Sequence, residues 1–138
     1  MIVLDTNVLS EEMRPTPEPA VHGWLTRQNP LNLFTTAVTE AEILYGVAIK
    51  PDGRRKDGLE TAARRVLDLF AGRILPFDSA AAREFARIVT DRRGAGRPID
   101  DFDAQIAAIT RSRGMTLATR DLQDFAGTGV QVIDPWSP

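Results

Sequence analysis

The sequence predicts an α/β fold, a three-layer sandwich in which helices flank a short, mostly parallel sheet of five strands. Short apolar segments of strand length alternate along the chain with longer amphipathic segments of helical period. This alternation is typical of strand–helix–strand units, which build parallel sheets. At 138 residues the chain is large enough to bury its own core, and we expect one domain spanning residues 1–138.

Five apolar segments are the predicted strands, and five amphipathic segments are the predicted helices. The strands are assigned to residues 2–5, 31–36, 73–77, 115–119 and 130–133. The helices are assigned to residues 18–28, 39–49, 59–72, 79–94 and 100–114. Pro76 cannot donate to a sheet, so the third strand should end there or lie at an edge, and Ser79 is the expected N-cap of the fourth helix. Residues 14–20, which are rich in proline, and residues 50–58, which combine proline, glycine and charge, are predicted to be loops.

Composition excludes several kinds of site. The chain has no cysteine, which excludes disulfides, thiol catalysis and cysteine-ligated metals, and its single histidine, His22, leaves little for zinc. No window approaches 18 continuous apolar residues, so we expect no membrane span. With neither cysteines nor a targeting pattern, the expected location is the cytoplasm.

The charged residues are unevenly distributed, although the net charge is only −2. Basic residues cluster at 54–56, 64–65 and 92–97, whereas several acids occur where a surface charge is not expected. The basic clusters can be interpreted as solvated helix faces. Alternatively, they contact RNA phosphates through Arg54, Arg55, Arg92, Arg93 and Arg97.

Two acids follow predicted strands in the first third of the chain. Asp5 ends the apolar run "MIVLD", and the crevices of parallel sheets lie beyond the carboxyl ends of their strands. Asp5 or Thr6 could instead cap a following helix. In "TEAEILYG", Thr39 and Glu42 have the spacing of a capping box, a role that can coexist with facing the crevice. Its neighbour Glu40 is expected to point to solvent.

Two further acids occupy comparable positions near the end of the chain. Asp103 in "PIDDFDAQIAA" borders the apolar stripe of a helix within its first turn, whereas Asp100 and Asp101 are natural caps. Asp121 and Asp124 come directly after the strand "MTLAT", as Asp5 does after its own strand. An Asx-type turn is the alternative role for either of these last two.

These four segments are far apart in sequence, yet each delivers an acid to the same predicted edge of the sheet. No histidine or lysine accompanies the acids to neutralise them, and gathered carboxylates are costly unless they are protonated or bind a cation. Ligation by oxygen alone suits hard cations such as Mg²⁺ or Mn²⁺. Such ions activate a water and stabilise charge at a phosphoryl centre.

Five motifs together resemble a known family. They are "MIVLDTNVLSE", "TEAEILYG", "DDFDAQIAA", "LATRDLQDF" and "VIDPW". In this order they resemble the PIN-domain ribonucleases, and most closely the VapC or FitB-type toxins of bacterial toxin–antitoxin pairs. The resemblance runs from the first residue almost to the last.

The resemblance implies a Mg²⁺- or Mn²⁺-dependent endoribonuclease whose acidic quartet is Asp5, Glu42, Asp103 and Asp121. It also implies four polar side chains that support these acids, namely Thr6, Asn7, Thr119 and Asp124. Asp124 is in addition the alternative to Asp121 as the fourth acid. The implied partners are RNA, a small VapB- or FitA-like antitoxin whose C-terminal segment blocks the acidic groove, and a second copy of the chain.

The implied homodimer could use the apolar helices near 20–28 and 39–49. Trp24 and Trp136 are expected in the core rather than as dimer anchors. A PIN nuclease that matures RNA without an antitoxin and a non-catalytic RNA-binding module are the alternatives. A haloacid-dehalogenase-like phosphatase is a poorer match, because it requires a second aspartate at the position of Asn7 and a lysine outside the hydrophilic loop. A receiver domain fails on the same lysine.

Overall fold

The computed structural model describes all 138 residues and places five strands in one sheet. The strands are β1 (Ile2–Leu4), β2 (Leu33–Thr36), β3 (Ile74–Leu75), β4 (Thr116–Ala118) and β5 (Val132–Ile133). They lie in the order β3-β2-β1-β4-β5, and every neighbouring pair is parallel. The sheet therefore has β1 at its centre, while β3, which ends just before Pro76, is an edge strand as the proline predicts.

Six α-helices connect the strands. They are α1 (Thr6–Glu12), α2 (Pro19–Thr26), α3 (Ala37–Ala48), α4 (Arg54–Asp68), α5 (Ser79–Gly94) and α6 (Asp101–Ser112). A single 3₁₀ turn at Pro30–Asn32 precedes β2. None of these helices combines the length and the apolar character that a crossing of the bilayer requires.

The start of α4 and the cap of α5 differ from the sequence prediction, and α1 has no counterpart among the five predicted helices. Helix α4 begins at Arg54, so the second half of the predicted loop 50–58 is helical. Gly53, with φ of 146°, redirects the chain, and the arginines and lysine after it are good helix formers. Asp78 caps α5 by accepting a hydrogen bond from an amide of its first turn, which makes Ser79 the first helical residue instead of the cap. The sequence identified both segments as polar, but it did not show that α4 starts at Arg54 or that Asp78 caps α5.

Alternate residues of the central strands point to opposite faces of the sheet and join two separate cores. On β1, Leu4 packs in a core formed chiefly with α1, α2, α3 and α4, whereas Val3 packs in a core formed chiefly with α5 and α6. Ala118 and Leu117 on β4 divide in the same way. The predicted α/β three-layer sandwich is confirmed.

The two tryptophans belong to the first of these cores. Trp24 of α2 is buried among its residues, and Trp136 near the C-terminus is partly buried and packs against it. Their predicted core placement is therefore confirmed, and neither side chain is a free anchor on the surface.

We expect Ile106→Ala to lower the free energy of unfolding by about 3 kcal/mol. Ile106 of α6 is completely buried in the second core, so truncation removes apolar contacts and leaves a cavity. Leu31→Ala is the control, because Leu31 is 71% exposed in the 3₁₀ turn, and its expected cost is below about 0.5 kcal/mol. Urea unfolding followed by circular dichroism measures both values. Equal losses would contradict this placement of the core.

Candidate functional site

The carboxyl edge of the sheet collects acids from four separate segments. Asp5 follows the central strand β1, and Glu42 lies in α3, which follows the adjacent strand β2. Asp121 follows β4 on the other side of β1, and Asp103 lies in the first turn of α6. Glu42 and Asp121 are near enough to raise the pKa of Asp5, and Asp5, Glu42 and Asp124 are near enough to raise that of Asp103. The structure thus brings all four predicted acids, and Asp124 with them, to one rim.

Asp5 is fixed by a hydrogen bond to each of its carboxylate oxygens. Its Oδ1 accepts from the Thr6 amide at 2.8 Å, and its Oδ2 accepts from the Thr119 hydroxyl at 2.7 Å. The first of these bonds makes Asp5 the N-cap of α1. Capping and placement at the rim are therefore compatible roles of one buried side chain that is only 4% exposed.

Glu42 is connected to Asp5 through Thr6. The Thr6 hydroxyl donates to Glu42 Oε1 at 2.8 Å and lies 3.1 Å from the Thr39 hydroxyl. The predicted capping box of Thr39 and Glu42 is wrong, because Thr36 caps α3 by accepting from the Thr39 amide at 3.1 Å. Glu42 consequently lies beyond the first turn of α3 and directs its carboxylate toward Thr6 instead of the helix end.

The Thr119 hydroxyl joins two of the four segments, those that carry Asp5 and Asp121. While donating to Asp5, it accepts from Asn7 Nδ2 at 3.2 Å and from the Asp121 amide at 3.1 Å. A hydroxyl has one donor and two acceptor sites, so its hydrogen-bonding capacity is filled. Asn7 Nδ2 also donates to Asp121 Oδ2 at 3.1 Å, which orients the fourth acid toward α1.

We expect Thr119→Val to lower the free energy of unfolding at neutral pH by about 2 kcal/mol. Valine has nearly the shape of threonine, but it cannot donate to the buried Asp5 or accept from Asn7. Thr119→Ser is the matched control, since serine keeps the hydroxyl and loses only a methyl group. Urea unfolding tests the comparison, and a serine variant less stable than the valine variant would contradict the role assigned to the hydroxyl.

Two carboxyl groups at the rim have raised pKa values. Burial raises the pKa of Asp5 to about 6, against the opposing effect of its hydrogen bonds from Thr119 and Thr6. Burial, together with the carboxylates of Asp5, Asp100, Asp124 and Glu42, raises the pKa of Asp103 to about 7. No basic side chain contributes to either shift. The rim is therefore an acidic site without an internal counter-charge.

The chemistry of these donors fits a hard divalent cation. Every group at the rim that could act as a ligand offers oxygen, which Mg²⁺ and Mn²⁺ prefer. No three acidic or histidine side chains already stand together at the spacing of a metal cluster. Mg²⁺ does not require such a cluster, because it keeps several waters and binds through one or two carboxylates. Asp5 and Asp103 are the rim acids whose pKa values burial raises.

Not all of the predicted RNA-contacting arginines are available. Arg92 is only 6% exposed, and its guanidinium donates to backbone carbonyls, so the prediction is wrong for this residue. The other four are exposed, namely Arg54, Arg55, Arg93 and Arg97. Sequence clustering identified the basic segment at 92–97 but could not show which of its arginines points inward.

A groove of about 600 Å³ lies between α1, α3 and α4 and reaches the acidic rim at Thr6 and Glu42. Its apolar lining includes Ile43, Val47 and Leu59. The same groove is lined by basic side chains, namely Arg14, Lys50, Arg54 and Arg55. Acids therefore stand at one end of a groove whose remaining charges are mostly positive.

The chain matches the model of a known family over most of its length. The family model of the PIN domain matches residues 2–129. The chain belongs to the PIN-domain family. This PIN domain is 41% identical over 137 residues to the toxin FitB of Neisseria gonorrhoeae, and the match covers 99% of each chain. It is 39% identical over 139 residues to the VapC ribonuclease Y4jK of Sinorhizobium fredii, covering 100% of this chain and 99% of the relative.

Solved structures of relatives have the same fold. The FitAcB complex of Neisseria gonorrhoeae contains a chain that matches this PIN domain with a TM-score of 0.92 and 40% identity, covering 100% of both chains. The structure of FitAB bound to an IR36 DNA fragment matches with a TM-score of 0.91 and 42% identity, covering 99% of this chain and 96% of the other. The resemblance to VapC and FitB-type toxins is confirmed.

One contact at the rim of this PIN domain had no sequence signal of its own. Arg120, between Thr119 and Asp121, stacks over the ring of Trp136 at 5.0 Å. Its backbone amide donates to Asn7 Oδ1 at 3.4 Å. The C-terminal motif "VIDPW" thereby reaches the segment that carries the fourth acid. Only the tertiary structure shows this pairing, because Arg120 and Trp136 are not neighbours in the sequence.

Proposed function

We propose that this PIN domain is a divalent-metal-dependent endoribonuclease, using Mg²⁺ or Mn²⁺, and the toxin of a VapBC-type toxin–antitoxin pair. The observation that supports it most directly is the rim of carboxylates, two of them with raised pKa values and none with a basic partner. A bound cation is the remedy that keeps such groups ionised near neutral pH. The names of relatives agree, since Y4jK is called a ribonuclease and a VapC of Shigella flexneri, 28% identical, a tRNA(fMet)-specific endonuclease.

The proposed ligands are Asp5 and Asp103, with Glu42 and Asp121 completing the acidic set. The ion, when bound, supplies Lewis-acid stabilisation of the phosphoryl group and an activated water. Asp5 is held in place at both oxygens, so little reorganisation is needed before the reaction. Asp121 contributes to the raised pKa of Asp5, and Asp124 contributes to that of Asp103. Either can serve as the fourth acid.

Three polar side chains hold the acids without contacting the substrate. Thr6 bridges Asp5 and Glu42, Thr119 bridges Asp5 and the Asp121 backbone, and Asn7 bridges Thr119 and the Asp121 carboxylate. Their role is to keep the carboxylates of Asp5, Glu42 and Asp121 at fixed positions in spite of their repulsion. The family resemblance implies the same supporting role for Thr6, Asn7 and Thr119.

The proposed antitoxin contact is the groove between α1, α3 and α4. Its apolar lining can accept apolar side chains of a helical or extended segment, and its acidic end can pair with an arginine. Relatives of known structure are toxin–antitoxin complexes, among them FitAB and VapBC-5 of Mycobacterium tuberculosis, which matches with a TM-score of 0.69 and 29% identity. We further propose a cytoplasmic homodimer that uses the exposed apolar side chains of α3 and its C-cap, which are Leu44, Tyr45 and Ile49.

Cleavage of RNA by the purified chain tests the nuclease. We expect Mg²⁺ or Mn²⁺ to support cleavage and excess EDTA to abolish it, with activity restored when the divalent ion is returned. Asp5→Ala and Asp103→Ala should be inactive while circular dichroism shows an intact fold. Full activity in EDTA, or in the Asp5 variant, would contradict the proposal. A protein that binds RNA but never cleaves it would favour the non-catalytic RNA-binding module.

The toxin role needs a separate experiment. Expression of the chain alone should arrest growth, and co-expression of a short reading frame adjacent to its gene should restore it. The Asp103→Ala variant is the control, because it should not arrest growth with or without that partner. Active nuclease without growth arrest, and without such a reading frame, would favour the RNA-processing alternative. Sequencing the RNA cut during arrest identifies the target.

A further inference from the structure

Arg92 is a buried cation that the proposed function has not yet used. It lies near the end of α5, and no carboxylate pairs with it. Its Nε donates to the Arg97 carbonyl at 2.6 Å, and its Nη1 donates to the carbonyls of Asp124 at 2.7 Å and Ala126 at 2.8 Å. Burying a charge is costly unless hydrogen bonds compensate it, so these three carbonyls are what stabilise Arg92 in place.

The three carbonyls belong to two different segments of the chain. Arg97 lies in residues 95–100, which join α5 to α6, and Asp124 and Ala126 lie in the turn after β4. Other contacts close the same junction. The Arg97 amide donates back to the Arg92 carbonyl at 2.9 Å, and an ideal Cβ on Gly127, whose φ is 75°, would approach Arg92 Cδ to 3.5 Å. Arg92 therefore fastens one segment to the other.

Each of these two segments delivers acids to the rim. Residues 95–100 end at Asp100, which caps α6 by accepting from the Asp103 amide at 3.3 Å and so fixes the turn that carries Asp103. The other segment carries Asp121 and Asp124. Neither segment contains a helix or a strand, and the carboxylates that the segments carry repel one another. Without a fastening, that repulsion favours separation of the two segments.

We propose that Arg92 is a positioning residue. By binding the backbone of both segments, it sets the distance between Asp103 and the two acids after β4, Asp121 and Asp124. It touches neither substrate nor ion. The inference rests on the proposed metal site, because the spacing of the acids matters only if they share a cation. A guanidinium suits this role, since its planar set of donors can bind several carbonyls at once, which a lysine ammonium does less well.

Arg73 provides a matched control. Its guanidinium also donates to three backbone carbonyls, those of Pro30, Leu33 and Leu69, and so also fastens separate segments. Arg73 precedes β3, however, and therefore lies at the amino edge of the parallel sheet, opposite the acids. Loss of Arg73 should affect stability but not the rim.

The experiment compares Mn²⁺ binding to the wild type, Arg92→Met and Arg73→Met, measured by electron paramagnetic resonance of the free ion without any RNA. Circular dichroism first establishes that each variant is folded at the temperature used. We expect Arg92→Met to raise the Kd for Mn²⁺ about tenfold, as loss of groups that orient metal ligands commonly does. Arg73→Met should leave the Kd within about twofold of the wild type, which is well below that effect.

Each outcome decides the matter. An unchanged Kd in Arg92→Met, or an equal increase in Arg73→Met, would overturn the positioning role and leave the metal site intact. A wild type that binds no Mn²⁺ would overturn the metal site, and the positioning role with it. If Arg92→Met does not fold, Arg92→Lys replaces it. Lysine retains the charge but cannot match the planar set of donors, so a Kd raised severalfold supports the role and a wild-type Kd overturns it.

Discussion

Asp103→Asn is expected to lower kcat for RNA cleavage by about 1,000-fold, equivalent to roughly 4 kcal/mol of lost transition-state stabilisation. Asparagine keeps the size and one oxygen of the side chain but cannot carry the negative charge that the proposed ion requires. The same change should stabilise the metal-free protein near neutral pH, because it removes a half-buried carboxyl that four other acids crowd. Loss of activity together with a gain in stability distinguishes a site residue from a structural one.

Asp101→Asn is the matched control for this prediction. Asp101 lies in the same first turn of α6, but it is exposed and contributes to neither of the raised pKa values. We expect its kcat to stay within about twofold of the wild type, as is usual for a surface change away from such features. Single-turnover cleavage and urea unfolding of both variants provide the measurement. Equal losses of kcat in the two variants would contradict the specific role proposed for Asp103 in catalysis. A loss of stability in Asp103→Asn would show that Asp103 has a structural role.

The sheet and its acidic edge could be predicted because strong local patterns carry them. The apolar run before Asp5 and the run before Asp121 are too short for helices and too apolar for the surface, which identifies them as buried strands. Parallel strands share a carboxyl edge, so two acids that follow two such strands must approach each other. The crowding at this edge then follows from topology without knowledge of a single contact.

The supporting contacts could not be predicted because they depend on tertiary distances. Thr119 contacts Asp5 across 114 positions of sequence, and Thr6 contacts Glu42 across 36. The capping box failed for a related reason. Thr36 and Thr39 are both good caps, and the choice between them depends on where β2 stops pairing.

The arginines show the same limit for charge. The run at residues 92–97 is basic in sequence, and nothing local separates a buried arginine from an exposed one. Arg92 is buried because the turn after β4 folds back over α5 and offers carbonyls to it. The sequence therefore identifies a basic segment, but the role of each arginine in it depends on which other segment of the chain packs against that arginine.

The free energy of unfolding of the metal-free protein is expected to fall as the pH rises from about 4 to about 7. The pKa of Asp5 is raised from 3.8 to about 6 and that of Asp103 to about 7, so the folded protein retains protons that the unfolded chain has released. Stability from these groups is thus greatest at the acidic end of the window and is lost as the pH passes their folded pKa values. For Asp5 the loss is on the order of 3 kcal/mol.

Variants isolate these groups from others that titrate in the same range. Because asparagine imitates the protonated acid, Asp5→Asn and Asp103→Asn should each gain stability relative to the wild type as the pH rises. For Asp101→Asn, the free energy of unfolding should change with pH as it does in the wild type. Urea unfolding in EDTA across the window measures these differences. Adding Mn²⁺ at the alkaline end should restore stability to the wild type but not to the Asp5→Asn, Asp103→Asn double variant, since that variant lacks both of the carboxylates proposed as ligands. If all curves stay parallel, the rim acids titrate normally, and the electrostatic reason for a cation there is lost.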